Sequence, residues 1–165
     1  MKAIETTYSG IKYRSRTEAR WAVFLDELRL PYAYEPEGFD LDGDWYLPDF
    51  WLPNPGVWLE VKGIAPNDRE LRVAYALAKA SRSPVVIAIG QPPVTDEFSC
   101  LAIQDGRKPI QVAFTGDGKQ HLFISSECQS FMMKIRGHPG DYGSVPLPVE
   151  GPAKVAAAQR FGVHG

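Results

Sequence analysis

The segment Pro53-Asn54-Pro55-Gly56 separates two runs dense in aromatic and branched residues, 45–52 and 57–62, and it constrains the fold more than anything else in the chain. Two prolines, an asparagine and a glycine make a turn, so the runs are predicted to be the arms of one antiparallel hairpin. With the turn symmetric about Asn54 and Pro55, Asp49 falls opposite Glu60 and Leu47 opposite Lys62. Opposed residues share a face. Two carboxylates whose Cβ atoms stand about 4.5–5.5 Å apart repel, and a divalent cation between them relieves the repulsion. Lys62 follows Glu60 by two residues and joins it on that face, while Val61 points the other way, into the core. A bulge introduced by the two prolines would slip the register by one residue and part the two acids.

The other elements follow from capping and periodicity. Ser15 and Glu18 match a capping box ahead of a helix that runs to about residue 28. Glu18, Ala22 and Leu25 share a stripe on it with Trp21 and Leu28, so Glu18 heads the inward face, and Pro31 ends the pattern. Residues 32–35 and 39–41 read as extended chain broken at Pro36-Glu37-Gly38. A second amphipathic helix is predicted over 67–81, with Leu71, Ala74, Tyr75 and Ala78 on one face. The apolar run 84–89 follows as a buried strand, parallel to its neighbour because a helix precedes it. Helix, three strands, helix and strand make an α/β core with a mixed sheet over residues 1–90. Three short alternating runs then predict an antiparallel β extension packed on that core over 91–136. A Gly- and Pro-rich tail, 137–165, has room for one short helix at 152–161.

At 165 residues, 44% of them hydrophobic, the chain suffices for one domain with a real core and is too short for two large ones. A net charge of −2 names no partner by itself, but its distribution is uneven. Residues 31–61 carry seven Asp/Glu and no Lys/Arg, whereas 1–30 carry six Lys/Arg against four Asp/Glu. A carboxylate-only stretch beside a basic one suits a metal site next to a phosphate-binding surface. Cys100 and Cys128 lie far apart with no Cys-x-x-Cys pair, which excludes a disulfide framework and a zinc knuckle and agrees with a reducing cytoplasm. No stretch has the length of a signal peptide's apolar region or of a membrane span.

The strings Tyr46-Leu47-Pro48-Asp49-Phe50 and Leu59-Glu60-Val61-Lys62-Gly63, preceded by a helix bearing Glu18, resemble the PD-(D/E)XK nuclease superfamily. The likeness covers about residues 13–90. The Ser-Arg-Thr-Glu-Ala helix is most similar to small phage and mobile-element nucleases, including TnsA-type transposon endonucleases and some Holliday junction resolvases. The resemblance implies a restriction-endonuclease-like α-β-β-β-α-β core. It further implies that Asp49, Glu60 and the Val61 carbonyl bind Mg²⁺ or Mn²⁺, with Glu18 binding the ion directly or through water. Lys62 would position or deprotonate the attacking water and stabilise charge growing on the phosphate. Hard oxygen ligands select Mg²⁺ over zinc, and phosphodiester hydrolysis needs a cation on the non-bridging oxygens and an activated water.

Each residue has a plainer role to set beside this one. Glu18 can simply cap its helix, Asp49 can be a surface carboxylate near a turn, and Glu60 with Lys62 can form a solvated strand face. Glu35 and Glu37 read as solvated loop acids, with Glu35 within reach of the ion from the neighbouring strand. His121, His138 and His164 lack metal-ligand spacing, and Ser99 and Cys100 lack a base partner. Lys12, Arg14, Arg16 and Arg20 crowd the start of the first helix beside Tyr8, Tyr13 and Trp21, an arrangement for holding nucleic-acid phosphates. The expected activity is metal-dependent endonucleolytic cleavage of duplex or branched DNA in a bacterial or phage-infected cell, with a homodimer or a partner protein supplying specificity. The rivals are a non-catalytic DNA-binding or assembly module on the same fold, and a phosphohydrolase acting on small nucleotides.

Overall fold

The computed structural model describes residues 3–53, 56–92, 100–116, 122–126 and 150–162. Along the chain the elements are β1 (Thr6–Tyr8), β2 (Ile11–Tyr13), α1 (Arg16–Glu27), β3 (Ala33–Tyr34), β4 (Phe39–Leu41), β5 (Asp44–Tyr46), β6 (Phe50–Leu52), β7 (Val57–Lys62), α2 (Asp68–Ser81), β8 (Val85–Ile89), β9 (Cys100–Ile103), β10 (Ile110–Gly116), β11 (Leu122–Ser126) and α3 (Glu150–Ala158). Seven strands form one mixed sheet in the order β11-β10-β9-β8-β7-β6-β3, and β1–β2 and β4–β5 are separate two-stranded ribbons. The architecture is mixed α/β.

The hairpin adopts the register that turn symmetry predicts, with Phe50 opposite Leu59, Trp51 opposite Trp58 and Leu52 opposite Val57. Asn54 and Pro55 themselves lie outside the described residues. The first arm is not the continuous strand expected over 45–52. Asp44–Tyr46 turns back on Phe39–Leu41 through Asp42 and Gly43, both at positive φ, which is the geometry of a tight hairpin turn. The break falls at residues 47–49. Continuing the β6–β7 register would bring Pro48 opposite Val61, where a proline has no N–H for the ladder. Leu47 consequently never comes to pair with Lys62.

β7 runs parallel to β8, as the intervening α2 predicts, and α2 begins at an Asn67 cap with a complete capping box to Glu70. Strands β8 to β11 then form the expected antiparallel meander. It is joined edge to edge to the core sheet, with Val85 paired to Ile103, where the sequence predicts a unit packed on it. An apolar strand such as β8 would otherwise leave a row of unpaired backbone groups.

Alternation along β7 divides the interior. Val57, Leu59 and Val61 face α1, whose Ala19, Trp21, Ala22, Phe24 and Leu25 are buried with them. Trp58 joins Ala74, Leu77 and Ala78 of α2 on the other side, together with Val85, Ile87 and Ile103. Tail helix α3 overlaps the stretch 152–161 predicted to be able to form one, begins two residues earlier and ends three residues sooner, and buries Ala153 and Ala156 in the α1 core. Phe161 meets Tyr8 edge to face at 6.3 Å. Among the described residues no helix is long and apolar enough to cross a membrane.

Candidate active site

Because β6 starts only at Phe50, Asp49 lies at the open end of the hairpin and its side chain turns across to β7. Its Oδ2 accepts a hydrogen bond from the Val61 N–H at 2.8 Å, and its own N–H donates to Glu60 Oε1 at 3.3 Å. Each acid is therefore braced by the other strand's backbone. Both are buried, Asp49 6% and Glu60 2% exposed, which rules out a solvated strand face. A residue's N–H and C=O leave a strand on the same side, so the Val61 carbonyl faces this gap as well, opposite a Pro48 that has no N–H to offer it.

The remaining oxygens of the pair meet three groups. Tyr46 donates its hydroxyl to Glu60 Oε2 at 2.5 Å, and Lys62 Nζ stands 3.5 Å from the same oxygen. Arg14 Nη2 donates to Asp49 Oδ1 at 3.0 Å and to the Leu47 carbonyl at 3.3 Å, while Arg14 Nε pairs with Glu35. Glu35 is thus a half-buried, ion-paired residue where the sequence predicts a solvated loop acid. Arg14, half exposed, is engaged by the acids Glu35 and Asp49.

Glu18 holds only half of its predicted capping box. Its N–H donates to Ser15 Oγ at 3.1 Å, as expected, but its carboxylate does not return to the Ser15 backbone. Glu18 Oε1 accepts from the Ser15 hydroxyl at 2.7 Å, and Oε2 accepts from Tyr34 Oη at 2.6 Å and from the Arg14 N–H at 3.2 Å. The side chain is buried and directed towards the sheet, where Tyr34 of β3 lies. Trp21 fixes this end of α1 by donating Nε1 to the Gly90 carbonyl at 2.9 Å, and Gly90 N–H donates to the Lys62 carbonyl.

Burial pushes the Asp49 carboxyl well above its ordinary 3.8, helped by the nearby charges of Glu60 and Glu18. Burial also raises Glu60 above 4.5, against the opposing pull of Lys62 and the Tyr46 hydrogen bond. A raised acid makes its stabilising contribution at low pH and loses it as pH climbs through the folded-state value. In EDTA, Asp49→Asn should therefore be more heat-stable than wild type by a margin that widens as pH rises from about 4, the ordinary range of an aspartate. Calorimetric midpoints across pH test this, and a margin independent of pH would refute it.

Two desolvated, opposed carboxylates beside a backbone carbonyl are a donor set that suits a hard divalent cation. The expected three-acid cluster is not assembled, however. Among the described residues no three His, Cys, Asp or Glu side chains gather into a group that could hold an ion. Asp49 and Glu60 meet, while Glu18 is occupied by Tyr34, Ser15 and the Arg14 backbone.

Lys12 is exposed and paired with Glu5 at 2.6 Å, and Arg16 and Arg20 are half-buried on the first turns of α1. Tyr13 and Trp21 are fully buried core residues and present no face on which a base could stack. Cys100 is buried in β9, and Ser99, Cys128, His121, His138 and His164 lie outside the described residues. Tyr46 and Tyr34 were not foreseen as parts of the site. No protein-family model matches the chain, and no curated protein matches it in sequence.

Proposed function

We propose that this chain is a metal-dependent DNA endonuclease with a restriction-endonuclease-like core. One observation carries the reading: Asp49 and Glu60 are both buried and joined by the Asp49 N–H to Glu60 Oε1, with the Lys62 ammonium 3.5 Å from Glu60. Buried like charges destabilise a fold, so their opposition calls for a reason other than packing.

In this reading Asp49, Glu60 and the Val61 carbonyl hold Mg²⁺ or Mn²⁺, and Glu18 contributes through water. When bound, the ion polarises the scissile phosphate and lowers the pKa of water. Lys62 orients the attacking water and offsets charge developing on the phosphoryl oxygens. Tyr46 keeps Glu60 oriented through its hydrogen bond to Oε2, while Arg14, Arg16, Arg20 and Lys12 supply positive charge for the DNA backbone. The substrate is duplex or branched DNA.

Supercoiled plasmid incubated with the protein and Mg²⁺ should be nicked or linearised, and EDTA should abolish the reaction. DNA binding without cleavage in Mg²⁺ or Mn²⁺ would favour the non-catalytic module instead. Turnover of nucleotides without duplex affinity would favour a small-molecule phosphohydrolase.

A further inference from the structure

Arg14 belongs by sequence to a group suited to phosphate and lies by structure on an acid. Its backbone is fixed, since the Arg14 N–H meets Glu18 Oε2 at 3.2 Å and Tyr34 Oη at 3.0 Å. Its side chain is 53% exposed and reaches from solvent to Asp49 Oδ1, whose own side chain is 9% exposed. The other acid on the guanidinium, Glu35, sits at a positive φ of 45°, a conformation uncommon for that residue type. The Glu35 N–H donates to the Asp49 carbonyl at 2.8 Å, so Asp49 itself anchors both ends of the clasp. The arm is thus tethered at its base, half exposed as a whole, held at its tip by Glu35, Asp49 and the Leu47 carbonyl, and neutralises the carboxylate that an ion would need.

We infer that Arg14 is an exchangeable counter-ion: it neutralises Asp49 in the DNA-free protein and transfers to a backbone phosphate when DNA docks, releasing Asp49 Oδ1 for the divalent cation. A phosphodiester offers the guanidinium two oxygens in the bidentate geometry it prefers. Once Arg14 has left, Asp49 faces Glu60 with a charge deficit that an incoming cation fills. DNA and the ion therefore bind with positive coupling, and the coupling is reciprocal. Tyr46 and Lys62 remain on Glu60 throughout, so the exchange is confined to the Asp49 side of the pair.

The inference rests on the nuclease reading, and one titration separates the two. Mn²⁺ binding to the full chain is followed by electron paramagnetic resonance, with and without a short phosphorothioate duplex. Wild type should bind Mn²⁺ about tenfold more tightly when the duplex is present, within the usual range of coupling between sites. Arg14→Gln should bind Mn²⁺ about tenfold more tightly than wild type without DNA, and the duplex should add nothing further. Arg14→Lys, which keeps the charge and loses the fork, should retain part of the coupling and checks that any effect is not misfolding. If wild type binds Mn²⁺ and cleaves DNA but Arg14→Gln keeps the full coupling or binds Mn²⁺ no more tightly, the exchange is wrong and the nuclease reading survives. If no variant binds Mn²⁺ with or without DNA, both fall.

Discussion

Lys62→Ala should lower Mg²⁺-dependent plasmid cleavage by about 10²–10³-fold, the usual cost of removing one preorganised group that meets charge formed in a transition state. The side chain is one-quarter exposed and stands 3.5 Å from the buried Glu60, so stability is followed beside activity to separate a loss of fold from a loss of chemistry. Lys62→Arg is the informative companion. It keeps a cation beside Glu60, but a guanidinium neither matches the compact ammonium nor accepts a proton at neutral pH, so activity should stay depressed. Initial nicking rates and thermal midpoints measured together decide the matter. A loss below tenfold in Lys62→Ala, with an unchanged midpoint, would remove Lys62 from the reaction.

Phe50→Ala should cost about 3–5 kcal/mol of stability, the range for deleting a fully buried aromatic ring. Phe50 is wholly buried, and its ring lies 5.2 Å from that of Tyr34, 5.6 Å from Tyr32 and 6.1 Å from Tyr13. Those tyrosines cannot slide into the space without giving up other contacts. Tyr34 is bonded to Glu18, and the Tyr13 and Tyr32 hydroxyls meet at 3.1 Å. The cavity should therefore stay largely open, which sets the cost towards the upper end. Urea denaturation measures it directly, and a loss below about 1 kcal/mol would mean that the aromatic group relaxes freely. Because Phe50 follows Asp49 and backs Tyr34, the variant should also loosen two acids of the candidate site.

The hairpin register was readable because a single turn fixes it, and every pairing from Phe50 to Leu59 follows from the positions of Asn54 and Pro55. That Asp49 lies next to Glu60 and Val61 was readable for the same reason, although the ladder itself stops at Phe50. Tyr46 was not. In an unbroken strand over 45–52 it would share a face with Val61 and enter the core, but the interruption at Pro48 resets that alternation and sends its hydroxyl to Glu60. The Asp42-Gly43 pair that starts the β4–β5 ribbon is a hairpin signal the chain does carry, obscured by the longer aromatic run that follows it. The capping pattern at Ser15 and Glu18 located α1 correctly, yet a capping motif has no means of saying that Tyr34, far along the chain, will claim the carboxylate. Arg14 shows the same limit. Local sequence marks a cation, and only the fold decides whether it meets an acid or a phosphate.

β3 has a consequence for assembly. The strand bordering the sheet beside the candidate site is Ala33–Tyr34, two residues long, with Pro31 and Pro36 on either side. A visiting polypeptide has too few backbone groups there to zip onto, and the flanking imino acids deny it more. Any subunit or cofactor protein that reaches the acids from this flank must recognise side chains, leaving strand exchange and fibre-like stacking to be guarded against elsewhere.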